Sequence, residues 1–248
     1  MRTFYSGKIV HGYQYLHPVL GRLPTSYYGR NTGVRYAINH HPKRLAGSNS
    51  PNLKNGAVGL GVGTIAAHLF PGDYLRFYEI NPDIISLNQQ YFTYIKDSKG
   101  KIDAVLGDGR IRLEQELAAD GPGTFDLIIL DAFSGDAIPT HLLTLEAFEM
   151  YFQHLKSDGI LAVHITNQHL DLTPVLRAAA QAMNKHVIMT ISPEIRGITE
   201  ESDWILMTSN QTFLDQAAAQ LTADENFRND QRAILWTDDY SSLVGLFY

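Results

Sequence analysis

Hydrophobic and polar positions alternate in blocks along most of the chain. Short apolar runs fall at Ala57–Leu60, Tyr74–Tyr78, Ile102–Leu106, Phe125–Leu130, Ile160–Ile165, Val187–Ile191 and Trp204–Met207. Each has the length and composition of a strand covered on both faces. Between them the apolar residues switch to helical spacing, as at Leu145, Phe148, Phe152 and Leu155, and at Leu176, Ala179 and Met183. Thr173 followed by Pro174 reads as an N-cap with proline at the first helical position. A succession of strand–helix units predicts an α/β fold with a doubly wound, parallel sheet.

Ahead of this block the pattern differs. Phe4-Tyr5, Ile9-Val10 and Tyr13–Leu16 are aromatic or β-branched stretches broken by Gly7, Gly12 and Pro18–Gly21, so residues 1–40 read as β-structure. His40–Asn55, rich in Pro, Gly, Ser and Asn, reads as a loop. Two regions are expected: an N-terminal β-hairpin region, 1–50, and a Rossmann-like doubly wound domain, 51–248. No internal repeat or low-complexity tract interrupts them.

Composition narrows the classes. At 248 residues, 44% hydrophobic and 19% charged, the chain can bury a sizeable core and is not a disordered polymer. Its longest apolar run, around Phe125–Leu130, is far short of the ~20 residues of a membrane helix. No signal peptide is expected, since Arg2 and Lys8 flank Phe-Tyr-Ser-Gly and not an apolar core. With no cysteine there is no disulfide, thiolate metal site or Cys nucleophile, which favours a cytoplasmic setting. The net charge of −6 hides an asymmetry: residues 1–50 hold seven Lys/Arg and no Asp or Glu, leaving 13 basic against 26 acidic residues beyond. A basic leader on an acidic body could dock on that body, on a partner or on an anionic surface, with internal docking expected first. Its basic residues are scattered without an aromatic ladder, which argues against nucleic acid.

Candidate chemistry gathers where strands end. Gly59-Leu60-Gly61-Val62-Gly63 follows the first strand of the block and precedes helix-compatible Thr64–Leu69. Glycines at such a turn let a ligand approach the backbone, although a tight packing turn has the same signature. The next strand ends in Glu79, where an acid can accept both ribose hydroxyls, and this pairing favours a nucleoside site. Gly107-Asp108-Gly109 ends the third strand, and Asp108 could accept an adenine amine or cap the following helix. Phe125–Leu130 runs into Asp131 and then Asp136, two carboxylates placed to act as a general base or to hold a cationic amine. Trp236-Thr237-Asp238-Asp239-Tyr240 joins acids to aromatics, as an ammonium pocket or a solvated turn would. His40, His41, His154, His164, His169 and His186 lack metal-ligand spacing and read as surface or core residues.

Together these stretches resemble the spermidine synthase family, aminopropyltransferases on a class I methyltransferase-like fold. The likeness is nearest to the spermidine synthase-like domain fused behind membrane helices in bacteria. It is carried by Arg2–Gly7, His11–Gln14, Thr25–Gly29, Gly59–Gly63, Tyr78-Glu79-Ile80, Gly107–Arg110, Asp131–Pro139 and Thr237–Tyr240. It implies that Gln14, Gly59, Gly61, Gly63 and Ile80 touch the nucleoside, that Glu79 holds the ribose, and that Asp108 and Gly109 hold the adenine. Asp131 would be the base, with Tyr28 near the sulfonium, and Asp136, Asp238, Asp239 and Tyr240 would bind the polyamine. The implied reaction is aminopropyl transfer from decarboxylated S-adenosylmethionine to putrescine, releasing methylthioadenosine. The implied assembly is a homodimer built partly from the hairpin. The sequence departs from the family at Leu60 and Val62, where a Gly and a donor-binding Asp are usual, and in the longer spacing of Asp131 to Asp136.

Two other readings use the same residues. One is an enzyme that uses intact S-adenosylmethionine, transferring its methyl group or cleaving its sulfonium. The other is a non-catalytic nucleoside- or polyamine-sensing domain on the cytoplasmic side of a longer, membrane-embedded protein. No prosthetic group or metal is expected in any of them; the nucleoside is a co-substrate.

Overall fold

The computed structural model describes residues 1–7, 9–45, 52–133, 138–167, 169–220, 227, 230 and 232–247. Strands β1 (Arg2–Ser6) and β2 (Ile9–Gln14) pair as an antiparallel hairpin with a bulge between Phe4 and Tyr5. The remaining strands form a seven-stranded sheet. They are β3 (Lys54–Val58), β4 (Tyr74–Glu79), β5 (Lys101–Leu106), β6 (Phe125–Leu130), β7 (Leu155–His164), β8 (His186–Ser192) and β9 (Ser202–Thr208). Their order, β5-β4-β3-β6-β7-β9-β8, reverses direction between β3 and β6, which is where doubly wound sheets bind ligands. All seven apolar runs read from the sequence are strands. The expectation of a wholly parallel sheet is corrected at one strand: β9 runs antiparallel to both β7 and β8.

The helices are α1 (Gly33–His40), α2 (Pro42–Leu45), α3 (Pro82–Tyr91), α4 (Gly109–Asp120), α5 (Leu145–His154), α6 (Thr173–Ala182) and α7 (Gln211–Gln220). Their starts are chemically marked. Asn81 accepts from Asp83 N ahead of Pro82, Asp108 accepts from Ile111 N, and Thr144 accepts from Ala147 N. Thr64–His68 is a short 3-10 turn and not a full α-helix.

One face of the sheet carries Val58, Tyr78, Leu130 and Val163, packed with Leu113, Phe148, Leu176 and Trp236. The other carries Ala57, Phe77, Ile129 and Ala162, packed with Val34, Ala37, Ile38, Trp204 and Phe213. The expectation of β-structure through residue 40 is therefore corrected: Val34, Ala37 and Ile38 recur at helical spacing and bury α1 under the sheet. The expected boundary at residue 50 lies outside the described residues.

The basic leader docks on the body. Lys43 pairs with Asp126 and Arg44 with Asp73, two carboxylates that are fully buried. Asp126 also accepts from Lys156 Nζ at 3.0 Å and Lys54 N at 2.8 Å. Burial pushes its carboxyl up, but the hydrogen bonds from Lys43, Lys54 N and Lys156 outweigh it and hold the group below its usual range. Among the described residues, His41, Asp126 and Asp158 come within 4.8 Å of one another in metal-ligand fashion. The two lysines already occupy Asp126, at the amino end of β6 and away from the ligand-binding edge.

Candidate active site

Strand register builds the site. Val58 pairs with Tyr78 and with Leu130, and Leu130 pairs with Val163. The next residues along these strands, Glu79, Gly59, Asp131 and His164, therefore stand in one row at the carboxyl edge. Alternation turns their side chains toward the face that carries α1 and Trp204. Gly59 N donates to Tyr78 O and Asp131 N to Val58 O, both at 2.9 Å, so the row remains tied to the sheet. Gly59 has φ +100°, and a Cβ there would lie 2.2 Å from Asp131 O, so only glycine lets these two loops pass.

Glu79 organises the glycine turn. One carboxylate oxygen accepts from Leu60 N at 3.1 Å and the other from Asn81 N at 2.9 Å. Burial raises its pKa, opposed by the backbone N–H groups it accepts from. Gly61 and Gly63 take left-handed φ of +52° and +78°, and Asn88 Nδ2 donates to Gly61 O at 2.7 Å. Ile80, 67% exposed, leaves an apolar surface beside Glu79.

Asp131 is held between Tyr28 and a histidine that is itself ringed by aromatic side chains. Its side chain is 5% exposed; Oδ2 accepts from Tyr28 Oη at 2.5 Å, and Oδ1 lies 2.7 Å from His164 Nδ1. Trp204 stacks on the His164 ring at 4.6 Å, Phe133 meets it edge-on at 5.0 Å, and Tyr27 lies at 5.4 Å. Burial and the Asp131 charge push the Tyr28 phenol well above its ordinary pKa, so it remains a proton donor to the carboxylate. His11, on β2, is half-buried near Asp131 and held below the usual histidine range by burial.

The structure thus unites Gly59, Gly61, Gly63, Glu79, Asp131 and Tyr28. Asp108 lies at the same edge but is already engaged: Oδ1 caps α4 and Oδ2 lies 3.0 Å from His141 Nε2. Gly109 follows it at the start of α4, close against Val58. Gln14 is buried, donating to Gly21 O and Thr93 Oγ1 and accepting from Thr93 N. It pins the hairpin to the segment after α3. Asp136 lies outside the described residues.

Asp238 is already engaged by neighbouring side chains. Arg110 grips it through both terminal nitrogens at 2.6 and 2.5 Å, Thr144 Oγ1 adds a bond at 2.8 Å, and these hold its pKa down to about 2. Its exposed neighbours Asp239 and Tyr240 form the turn beyond. Val62, which stands where a donor-binding Asp is usual in the resembled family, is 1% exposed and packs under Gly12 of the hairpin with Ala66, Phe92 and Tyr94.

His164 is the site residue that sequence reasoning missed. Its signal was positional: it ends an apolar strand, as Glu79 and Asp131 do.

No protein-family model matches the chain. A polyamine aminopropyltransferase of Vibrio vulnificus is 31% identical over 110 residues, 43% of this chain. An N-terminal histidine N-methyltransferase of Emericella nidulans is 31% identical over 124 residues, 50% of this chain. The chain spans only 36% and 21% of the length of these two curated relatives. Among solved structures, a probable spermidine synthase from Corynebacterium glutamicum aligns with a TM-score of 0.59 at 22% identity, covering 85% of this chain and 81% of that one. Human methyltransferase-like protein 13, in complex with SAH, aligns with a TM-score of 0.54 at 21% identity, covering 82% of this chain and 92% of that one. Over about half its length the chain is similar in sequence both to a polyamine aminopropyltransferase and to an N-methyltransferase, and its fold is class I methyltransferase-like.

Proposed function

We propose that this protein is an aminopropyltransferase that uses decarboxylated S-adenosylmethionine and a diamine such as putrescine and releases methylthioadenosine. The observation that carries the reading is the buried Asp131–Tyr28 pair at the tip of β6, in one row with Gly59 and Glu79. Glu79 would accept the ribose hydroxyls, and the adenine amine would share Asp108 with His141. The amine nitrogen attacks the aminopropyl carbon; a C–N bond forms as the C–S bond breaks. The bonding pair stays on sulfur, which passes from sulfonium to neutral thioether. The ammonium proton goes to Asp131 Oδ2, because an alkylammonium has no lone pair to attack with until a base removes its proton.

A second reading, methyl transfer from intact S-adenosylmethionine, is favoured by the N-methyltransferase relative matched over half the chain. The test is to supply each donor with and without diamines and identify the nucleoside product by mass spectrometry. Diamine-dependent methylthioadenosine from the decarboxylated donor is the expected result. S-adenosylhomocysteine would establish methyl transfer instead, and no product from either donor would overturn both readings.

A further inference from the structure

We propose that His164 is a positioning residue that ties back one oxygen of Asp131 and so aims the other at the reacting amine. The inference rests on the reading of Asp131 as the reacting carboxylate. A carboxylate can only accept, so across the 2.7 Å contact the imidazole proton sits on Nδ1 and is donated to Oδ1. The far side of the ring fits this tautomer. Thr166 Oγ1 lies 2.7 Å from Nε2 and already accepts from Asp203 N at 2.8 Å, leaving its own hydroxyl proton to donate to Nε2. Trp204 stacked at an interplanar angle of 10° fixes the plane of the ring. His164 is therefore held at both nitrogens and on one face, with its side chain 4% exposed. It cannot touch solvent or a substrate; what it orients is the carboxylate.

That arrangement divides the labour of Asp131. Oδ1 is tied to the strand-end histidine, while Oδ2, in contact with Tyr28, is left to take the proton. Without the Nδ1–H donor the carboxylate could rotate about its last bond, and Tyr28 alone would not distinguish its oxygens.

Three variants separate this role from simple packing. Asn at 164 places an amide N–H where Nδ1 stands, Gln places its amide nearer Nε2, and Leu keeps bulk without a donor. Expected results are a kcat at least tenfold lower for His164→Leu and His164→Gln, with KM for the nucleoside changed less than threefold. His164→Asn should recover to within threefold of the wild-type kcat. All three are compared only at temperatures where circular dichroism shows them folded. Leu or Gln variants at wild-type kcat, or an Asn variant no better than Leu, would overturn the proposal. Long-range ¹⁵N–¹H correlation of the wild type gives a readout independent of turnover, with His164 assigned from the signals lost in His164→Asn. A protonated Nδ1 supports the proposal and a bare Nδ1 overturns it. If the wild type turns over neither donor, the functional reading has failed and with it the aim at a reacting amine, whereas a bare Nδ1 in an active wild type overturns the tether to Oδ1 alone.

Discussion

Glu79→Gln probes the proposed nucleoside site by replacing one carboxylate oxygen with an amide NH₂. The carboxylate is 5% exposed and holds Leu60 N at 3.1 Å and Asn81 N at 2.9 Å, one on each oxygen. Each oxygen keeps acceptor capacity for a ribose hydroxyl. Gln replaces one oxygen with an NH₂ group, which must face either a backbone N–H or a hydroxyl. One buried amide then loses its partner, at about 1–3 kcal/mol of stability by urea unfolding. The lost hydrogen bond to a charged acceptor costs about 1.5–3 kcal/mol in affinity. That is roughly 10- to 150-fold in Kd for methylthioadenosine or S-adenosylhomocysteine by calorimetry. The pH dependence is diagnostic because two trends oppose. Burial raises the pKa of Glu79 above the ordinary 4.5, so the folded protein binds that proton more tightly than the unfolded chain. As pH falls from above the raised value toward the ordinary one, the ligand-free protein gains stability from this group. Nucleoside binding, which under the proposed function needs the carboxylate, should weaken over the same interval. Both trends should vanish in the Gln variant. An affinity within threefold of wild type, together with a lowered urea midpoint, would show that Glu79 only pins the glycine turn and that the ribose sits elsewhere.

Asp131→Asn should lower turnover on the order of 10²–10⁴-fold while leaving nucleoside affinity within a few-fold, read by product mass spectrometry and calorimetry; near wild-type turnover would remove the base assignment. Val62→Asp should destabilise the fold by at least about 4 kcal/mol, combining lost apolar burial with a buried, unpaired charge. A loss below about 1 kcal/mol in urea unfolding would mean that the hairpin does not cover this position. Asp238→Ala should leave KM for the diamine within about twofold, because Arg110 and not substrate holds that carboxylate; a large rise in diamine KM would restore it to the polyamine site.

What the sequence revealed follows from which interactions are local. Phe125–Leu130 was read to the residue because a strand buried on both faces must be apolar on both. Glu79 and Asp131 were found because each is the first acid after such a run. The direction of β9 was open to inference, since the connection from Ser192 to Ser202 is too short for a crossover helix. Helix α1 was obscured by its Gly, Val and Tyr residues, which have little helical preference; packing of Val34, Ala37 and Ile38 decided its form. The rest depended on register. His164 acquires meaning only beside Asp131, and Asp238 meets Arg110 across 128 residues of chain. Val62 was aligned with a donor contact, yet whether a turn residue faces ligand or protein depends on what lies above the turn. Here that is the hairpin.

The fit of Gly12 over Val62 makes two distant positions a single evolutionary unit. Gly12 has φ +133°, and a Cβ there would come within 2.6 Å of Val62 Cγ2. An alanine at 12 is therefore opposed twice, by the backbone conformation and by Val62, and a bulkier or charged residue at 62 requires the hairpin to stand further off the sheet edge. Among homologous chains that keep this hairpin, position 12 should stay glycine and position 62 should be no larger than valine. Under the proposed function, the height of the space for the donor's tail is set by the hairpin as much as by the glycine turn. Grafting the Gly59–Gly63 turn of a relative into this scaffold should then fail by itself and succeed only when β1 and β2 are exchanged with it.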